Sequence, residues 1–364
     1  MVAAAYLLGG IIQVWLGHLT DRFGRKSMLQ FSLATASIVV AAHALVPNAI
    51  WLALLRACAI FSGGALYPAT GAVVTEVAPA RYRGIMAGLL QTAYPLGWFV
   101  ASLVAAPFLA LYGWRAMFLV ALVSLPYLLV VRWGLRESAR FEAVRTATQQ
   151  RSLWQSIGQL LTPGMRRRTI TLFCAQLLFV IAYGGSAIFF PTYFVESRGW
   201  TVGSSTILVG LGNAIGVLGY ILAAVVGEFY LSRRTTVVVW TLAGTVALVF
   251  LVWGTSEYVP TLIAFGVMSM FFYGVAAVKF AYVAEIFPTP LRATGLAVCT
   301  SLPVNLGIAA GPLIVATSVE HIGWDLTFSL VVGLPLSCAG LLYLLLRPIP
   351  SGLDIDELQR QLAR

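Results

Sequence analysis

Long apolar runs dominate this chain, and they constrain its fold more than any other feature. Of its 364 residues, 60% are hydrophobic and 10% are charged, whereas a soluble domain carries roughly a quarter charged residues. Each run approaches the ~20 apolar residues that a transmembrane helix needs. The runs lie near 1–16, 27–46, 51–74, 84–110, 115–133, 168–194, 203–227, 235–254, 258–283, 293–317 and 324–346. The sequence therefore predicts an all-α membrane protein with eleven transmembrane helices.

Basic residues are distributed asymmetrically between the loops. Of the 23 Lys and Arg residues, 19 lie in alternate loops and the C-terminal tail. Arg115 and Arg198 lie in the opposite loops, and Arg56 and Lys279 lie within apolar runs. Because loops rich in Lys and Arg stay in the cytoplasm, the C-terminus and the loop at 17–26 are predicted to be cytoplasmic. The net charge of +10 reflects this bias rather than a nucleic-acid partner, since the cations do not form a stripe with interleaved aromatics.

The loop between the first two runs carries the most specific motif. Residues 17–26 read Gly-His-Leu-Thr-Asp-Arg-Phe-Gly-Arg-Lys, an island of charge and glycine. Glycine permits a turn with positive φ and a close helix approach, and the carboxylate can pair with nearby cations. The motif resembles the cytoplasmic signature loop of the major facilitator superfamily, which joins the second and third helices. Its constrained positions are Gly17, Asp21, Arg22, Gly24, Arg25 and Lys26.

The resemblance implies a major facilitator fold, in which twelve helices form two pseudo-symmetric bundles and both termini are cytoplasmic. An odd number of runs instead sets Met1 outside, with no preceding segment to carry it across. The chain therefore looks like helices two to twelve of the family. A misassigned start codon and a true truncation both account for the first helix that this interpretation lacks.

Two motifs recur about half a chain apart. They are Glu76-x2-Pro79-x3-Arg83 with Glu285-x2-Pro288-x3-Arg292, and Gly113-Trp114 with Gly323-Trp324. Such an offset is typical of parallel structural repeats. A weaker copy of the signature loop retains Gly227, Arg233 and Arg234 but lacks the aspartate. The predicted parts are an N-terminal bundle at 1–133, a polar cytoplasmic linker with short amphipathic helices at 134–167, a C-terminal bundle at 168–346 and a cytoplasmic tail at 347–364.

The sequence contains none of the common catalytic or metal-binding patterns. It has no Ser-His-Asp set, no glycine-rich phosphate loop and no metal-ligand spacing, so no enzyme, ATP-driven pump, metal or cofactor is predicted. The four cysteines lie singly in apolar runs and predict no disulfide. The energy for any transport must therefore come from an ion gradient or from the concentration gradient of the substrate.

Several charged residues are predicted at the cytoplasmic ends of helices. They are Asp21, Glu76, Arg81, Arg83, Glu285 and Arg292. Opposite charges there can pair across helices, and the resemblance implies a gate that holds the outward-facing state. The alternative interpretation is that these residues only orient and anchor the helices.

Two cations are predicted inside the bilayer. Because burial of a cation in hydrocarbon costs at least about 2.5 kcal/mol, Arg56 and Lys279 should face a cavity or a partner. Arg56 also opens Arg56-x7-Gly64-Ala65-x2-Pro68, which resembles the fourth-helix motif of the family and implies proton coupling. Lys279 is a candidate counter-charge for a carboxylate substrate. Snorkelling to the interface is the alternative for both.

Polar and aromatic residues within the runs are candidate substrate contacts. They are Gln91, Tyr94, Trp98, Gln176, Tyr183, Asn213 and Asn305. Their side chains can offer hydrogen bonds and stacking surfaces to a small ligand. Hydrogen bonding between helices, and an interfacial belt for Trp and Tyr, are the alternative interpretations.

Further motifs resemble the branch of sugar and metabolite:proton symporters. They are Glu285-Ile-Phe-Pro-Thr, Phe190-Pro-Thr-Tyr193 and Arg136-Glu-Ser-x-Arg140-Phe, whereas Leu66 stands where several members have an acid. The branch includes aromatic-acid, monocarboxylate and sialate symporters. The resemblance implies a monomeric secondary transporter of a bacterial inner membrane that takes up a small organic acid with a proton by alternating access. The alternatives are a sugar symporter, a metabolite or drug exporter, and a truncated membrane protein without transport activity.

Overall fold

The computed structural model describes residues 2–143, 151–349 and 357, excepting the side chains of 2–5, 98, 99 and 102–110. Across the described residues the chain is helical and contains no strand. The helices of the first half are α1 (Val2–Phe23), α2 (Arg25–Ala42), α3 (Ala49–Ser62), α4 (Leu66–Val77), α5 (Arg83–Leu119) and α6 (Tyr127–Gly134). A short helix, α7 (Leu153–Leu160), precedes the second half. The helices of the second half are α8 (Pro163–Ala187), α9 (Phe190–Arg198), α10 (Val202–Phe229), α11 (Arg233–Gly254), α12 (Tyr258–Ile286), α13 (Arg292–Leu296), α14 (Leu302–Thr327) and α15 (Leu334–Leu342).

Several long helices run on through short irregular turns. A 3₁₀ turn at Gly63–Ala65 joins α3 to α4, and π-turns at Ala297–Ser301 and Phe328–Gly333 join α13 to α14 and α14 to α15. Continuous membrane-crossing helices therefore contain local breaks in their hydrogen-bond pattern. π-turns of this kind recur at functional sites.

Glycines with positive φ form the sharp corners between crossings. Gly24 separates α1 from α2 with φ 106°, as the signature motif predicts. Gly113 in α5 and Gly323 in α14 have nearly identical backbone angles, φ 73° and ψ 174° against φ 72° and ψ 174°. The Trp that follows each glycine packs edge-on against a Phe four positions later, Phe118 and Phe328. The repeated Gly-Trp pair thus makes the same corner in each half.

Capping side chains begin several of the crossings. Asn48, Thr201 and Ser232 accept hydrogen bonds from backbone N–H groups in the first turns of α3, α10 and α11. Such caps satisfy donors that have no partner inside the helix. The caps therefore stabilise the starts of these three helices.

Eight stretches within the described residues are long and apolar enough to cross a membrane. One of them, Thr289–Leu345, is 57 residues long and turns at Gly323, so it forms two crossings. The chain is therefore a multi-pass helical membrane protein, and the number of eleven crossings stays a prediction.

The linker predicted at 134–167, which we also call the connector, packs closely against the first half. Glu137 accepts hydrogen bonds from the backbone N–H groups of Arg25 and Lys26 at the start of α2. Phe141 is buried beneath the Arg25 guanidinium, 4.4 Å from its carbon to the ring centroid. The helix α8 begins at Pro163, five residues before the apolar run predicted near 168–194. Pro is favoured in the first turn of a helix, and the Arg residues that follow it extend the helix beyond its apolar part.

The apolar core lies mainly in the second half. Phe190, Phe194, Phe265 and Phe328 are fully buried and pack against one another, mostly edge-on, with centroid distances of 4.8 to 6.2 Å. The second half is therefore a tightly packed body. Helices α1, α4 and α5 of the first half contact it, and a cavity lies between the two.

Candidate functional site

A cavity of about 430 Å³ lies between the two halves. This volume lies within the range of small-molecule sites. Its polar and aromatic lining residues come from both halves: Tyr6, Gln13, Tyr67, Gln91, Tyr94, Gln176, Phe179, Tyr183, Tyr220, Tyr273, Lys279, Phe280, Thr300, Ser301 and Asn305. The cavity therefore has the size and position of a substrate site that both halves share.

Lys279 is the only charged residue among the described residues that line the cavity. It lies on α12, and 5% of it is exposed. Its Nζ rests 3.0 Å from the ring centroid of Phe179 and makes no hydrogen bond with any described residue. A cation held mainly by an aromatic face retains its capacity to bind an anion.

Tyrosines form much of the remaining wall. Tyr183 packs edge-on against Tyr273 with a centroid distance of 5.5 Å, and Tyr67 packs edge-on against Phe280 at 4.8 Å. The Tyr67 hydroxyl also accepts a 3.5 Å hydrogen bond from Gln91 Nε2. Aromatic faces with hydroxyl groups favour a flat apolar ligand that carries polar substituents.

Two amides in the cavity lining bond across the two halves. Asn305 Nδ2 of α14 donates a 2.9 Å hydrogen bond to Gln13 Oε1 of α1, which joins the two halves. The same Nδ2 donates to the Ser301 carbonyl at 2.8 Å, and Gln13 Nε2 donates to the Ile60 carbonyl at 3.3 Å. These contacts form a polar part of the cavity wall.

The structure places the predicted substrate residues unequally. Six of them line the cavity: Gln91, Tyr94, Gln176, Tyr183, Lys279 and Asn305. Asn213 is exposed and lies outside the lining, because α10 turns that side chain away from the cavity. Arg56 is exposed and lies one residue removed from the cavity, since its guanidinium donates to the hydroxyl of Tyr6 at 3.0 Å. The side chain of Trp98 lies outside the described residues.

A first cluster of charges lies at the end of the bundle that carries the Gly24 turn, which we call the turn end. Arg25 contacts Asp21 at 3.3 Å and Glu76 at 3.0 Å, and all three come from the first half. Arg292 of the second half contacts Glu76 at 2.7 Å, and Arg25 donates to the Thr289 carbonyl at 2.9 Å. This first charge cluster fastens the two halves together.

Asp21 also caps the start of α13. Its carboxylate accepts hydrogen bonds from the backbone N–H of Ala293 at 3.1 Å and of Thr294 at 2.7 Å. The Thr294 hydroxyl adds a third bond at 2.8 Å. A carboxylate is stabilised at a helix N-terminus, where unpaired N–H groups and the helix dipole are directed at it. Gly17, one turn earlier, allows α1 to pack directly on Ala293 and Ala297.

A second charge cluster repeats this arrangement with the halves exchanged. Arg233 pairs with Glu228 at 2.8 Å and with Glu285, all in the second half. Arg83 of the first half contacts Glu285 at 3.6 Å. The recurring Glu and Arg motif therefore pairs crosswise, because Glu76 meets Arg292 and Glu285 meets Arg83.

The other basic residues of the signature motif, and Arg81, lie at the periphery. Lys26 Nζ donates to the Arg132 carbonyl at 2.6 Å on the exposed side. Arg22 lies over the ring of Phe23, and Arg81 lies over the ring of Tyr82. None of these three takes part in the ion pairs of the two charge clusters. Their positions suit anchoring at the edge of the helix bundle.

Sequence reasoning missed several residues of this arrangement. Glu228 stands one position after Gly227 and supplies the carboxylate that the weaker copy of the signature loop lacks. Gln13 and Tyr220 lie in apolar runs, where one polar residue gives little signal. Glu228 follows Gly227 directly, whereas Asp21 stands four positions after Gly17, so an alignment of the two copies does not pair these carboxylates. The role of Gln13 becomes visible only in its hydrogen bond with Asn305 of the other half.

The described residues contain no group of three or more His, Cys, Asp or Glu that could hold a metal ion. The polar groups of the cavity are one amine, several hydroxyls and several amides. Such groups bind and orient a ligand through ionic and hydrogen bonds. The arrangement is that of a binding site.

Comparison with known proteins places the chain among transporters. The model of the Major Facilitator Superfamily matches residues 1–229. The putative niacin/nicotinamide transporter NiaP of Bacillus subtilis is 28% identical over 91% of this chain and 79% of its own length. The cis,cis-muconate transport protein of Acinetobacter baylyi is 28% identical over 85% of this chain and 74% of its own. The solved structure of the proton:xylose symporter XylE bound to 6-bromo-6-deoxy-D-glucose has a TM-score of 0.76 at 18% identity, covering 98% of this chain and 88% of that one.

Proposed function

This chain belongs to the Major Facilitator Superfamily and is a secondary transporter, and we propose that it takes up a small organic acid together with a proton. The observation that carries the proposal is Lys279, the single cation among the described cavity residues. A carboxylate is the natural counter-charge for a buried ammonium group that lacks a hydrogen-bond acceptor.

The rest of the cavity favours an acid with a flat apolar body. Tyr67, Tyr183, Tyr220 and Tyr273 offer ring faces and hydroxyls, and Gln176 offers an amide. Relatives at 28% identity are named for niacin or nicotinamide and for cis,cis-muconate. Niacin and muconate are both unsaturated carboxylates, which agrees with one cation in a wall of tyrosines. An aromatic or unsaturated carboxylate is therefore the proposed substrate class.

The two charge clusters form the proposed gate. We place the turn end in the cytoplasm, because it carries the Arg-rich loops that stay inside. In the structure both clusters are paired and buried, so the halves are fastened at that end. Release of the substrate inward requires Glu76–Arg292 and Arg83–Glu285 to separate. Rocking of one bundle against the other about the substrate site does this.

Proton coupling is supported by resemblance. The Arg56 motif is similar to the fourth-helix motif associated with coupling, and XylE, which shares the fold, is named a proton:xylose symporter. A proton that accompanies a carboxylate also removes the cost of moving net negative charge across the membrane. Proton entry with the acid is therefore the proposed driving force.

The proposed setting is the one that the family resemblance implies. We place the protein as a monomer in a bacterial inner membrane with the C-terminus inside. The two bundles, 1–133 and 168–346, move about the linker at 134–167. Glu137 and Phe141 of the linker pack on the signature loop, so the linker belongs with the first bundle in the fastened state.

Uptake by the purified protein in liposomes tests this function. Radiolabelled nicotinate, benzoate and xylose are offered with an acidic exterior, with no pH gradient, and with a potential but no pH gradient. We expect saturable uptake of an acid that the pH gradient stimulates at least severalfold. Acid uptake without stimulation would contradict proton coupling. Uptake of xylose alone would favour the sugar symporter, and uptake of none of the probes would contradict the proposed substrate class.

A further inference from the structure

Gln13 and Asn305 form a direct hydrogen bond between the two halves, in the lining of the cavity. Asn305 Nδ2 donates to Gln13 Oε1 at 2.9 Å. Both side chains line the cavity, and 4% of Asn305 is exposed. A ligand in the cavity therefore has access to this amide pair, and the pair links helices α1 and α14.

Asn305 is tied to a break in its own helix. Its Nδ2 also donates to the carbonyl of Ser301 at 2.8 Å, and Ser301 is the last residue of the π-turn Ala297–Ser301. A π-turn changes the hydrogen-bond register of a helix and frees backbone groups there. The Asn305 side chain therefore contacts the π-turn as well as Gln13.

Beyond the π-turn, the same helical run leads to the first charge cluster. The N–H groups of Ala293 and Thr294 in α13 bind the Asp21 carboxylate, and Arg292 pairs with Glu76. Along the chain, the π-turn thus lies between Asn305, which lines the cavity, and the α13 contacts that fasten the turn end. A change in its geometry would move α13 relative to Asp21.

Gln13 makes a matching connection in the first half. Its Nε2 donates to the carbonyl of Ile60 at 3.3 Å, just before the 3₁₀ turn Gly63–Ala65. Gly64 packs directly on Gln13, and the turn leads into α4, which carries Glu76. Each amide side chain therefore contacts an irregular turn. Each of these turns leads along its helix to one partner of the Glu76–Arg292 ion pair.

We propose that the Gln13–Asn305 hydrogen bond couples occupancy of the cavity to opening of the turn end. A polar group of the substrate takes the amide of Asn305 or Gln13 and breaks the bond between the halves. The two turns then relax, and the ion pair between Glu76 and Arg292 separates. The inference rests on the proposed transport by alternating access, and it does not depend on which acid is carried.

Hydrogen exchange measured by mass spectrometry tests this coupling in the full protein in nanodiscs. The readout is the peptide covering 287–296, since the N–H groups of Ala293 and Thr294 are protected only while Asp21 binds them. Without ligand, Asn305→Ala and Gln13→Ala should each speed exchange there roughly fivefold, the shift expected for loss of an ordinary hydrogen bond. The double variant should add little to either single variant, because both remove the same bond.

The matched control is Gln91→Ala. Gln91 lines the same cavity, but its hydrogen-bond partner, the Tyr67 hydroxyl, belongs to the same half. We expect no change in exchange at 287–296 for this variant. Asn305→Leu keeps more of the side-chain volume and repeats the test if Asn305→Ala folds poorly.

Two outcomes would overturn the inference. One is unchanged exchange at 287–296 in the folded variants. The other is faster exchange spread equally over α10 and α11, which would indicate a general loss of packing.

A further experiment adds saturating nicotinate. It should speed exchange at 287–296 in the wild type, whereas Asn305→Ala should show little further change. If nicotinate has no effect on any variant, the proposed substrate class fails, and the ligand-free comparison still decides on the coupling.

Discussion

At the scale of single residues, Lys279 and Asp21 show how burial gives a charge its role. Lys279 lies against Phe179 with no hydrogen-bond partner among the described residues, so its charge is available to a ligand. Asp21 has Arg25 and three donors from α13, so its charge is fully used within the protein. A charged side chain without a hydrogen-bond partner is suited to binding a ligand. A charged side chain whose hydrogen bonds are all made within the protein is suited to joining two parts of the protein.

Replacement of Lys279 tests the substrate contact. We expect Lys279→Gln to raise the KM for nicotinate or benzoate by about 10- to 100-fold, the loss of a charge-assisted hydrogen bond of roughly 1.5–3 kcal/mol. Uptake of neutral nicotinamide, if the wild type carries it, should change little. Lys279→Arg keeps the charge and should retain part of the acid uptake. Equal loss of acid and neutral uptake in Lys279→Gln would refute the counter-charge role.

Replacement of Asp21 tests the gate. We expect Asp21→Asn to weaken the cap on α13 and the ion pair with Arg25, and so to populate the inward-open state. A cysteine at Thr75, which is buried in α4 beside Glu76, should then react faster with a permeant maleimide. The native cysteines are replaced in both proteins. Unchanged labelling of Cys at this position would show that Asp21 does not hold the turn end closed.

At the scale of elements, the α1–α2 turn shows why a glycine occupies a given position. Gly24 has φ 106° and ψ 153°, a conformation that residues with a side chain rarely adopt. A Cβ at this position would also meet the Glu137 carboxylate and the ring of Phe141. The turn therefore needs glycine both for its backbone and for contact with the connector.

We expect Gly24→Ala to destabilise the protein by about 1–3 kcal/mol, because a strained backbone conformation costs this much. The thermal unfolding temperature in detergent should fall accordingly. Gly134→Ala is the matched control, since Gly134 ends α6 with helical geometry and nothing lies near the position of a Cβ. If both variants unfold at the temperature of the wild type, the strain at Gly24 is not significant.

At the scale of the whole molecule, the two halves are fastened by one motif used twice. Glu76 reaches across to Arg292, and Arg83 reaches across to Glu285. Each glutamate also contacts an arginine of its own half, Arg25 or Arg233. The turn end therefore has two sets of contacts between the halves, one at each glutamate. Opening requires both to break.

This symmetry predicts equivalent effects for the two glutamates. Removal of one partner of a buried ion pair costs about 3–5 kcal/mol. We therefore expect Glu76→Gln and Glu285→Gln to lower the unfolding temperature and to speed exchange at 17–26 and 287–296 by similar amounts. Glu257→Gln, an exposed residue before α12, is the control and should change neither. A strong effect of only one of the two buried variants would contradict two equivalent clusters.

The sequence by itself determined the features that depend on local patterns. Apolar runs predicted a helical membrane protein, and the motifs at 17–26 predicted the turn at Gly24 and the family. The Gly-Trp pairs predicted matching corners, since a glycine conformation depends on its immediate neighbours. Only the tertiary structure decided the crosswise pairing of Glu76 with Arg292, the bond from Gln13 to Asn305, and the positions of Asn213 and Arg56 outside the cavity lining. The physical reason is that hydropathy and turn propensity are local, whereas the face that a polar side chain presents and the partner that it meets depend on packing between distant helices.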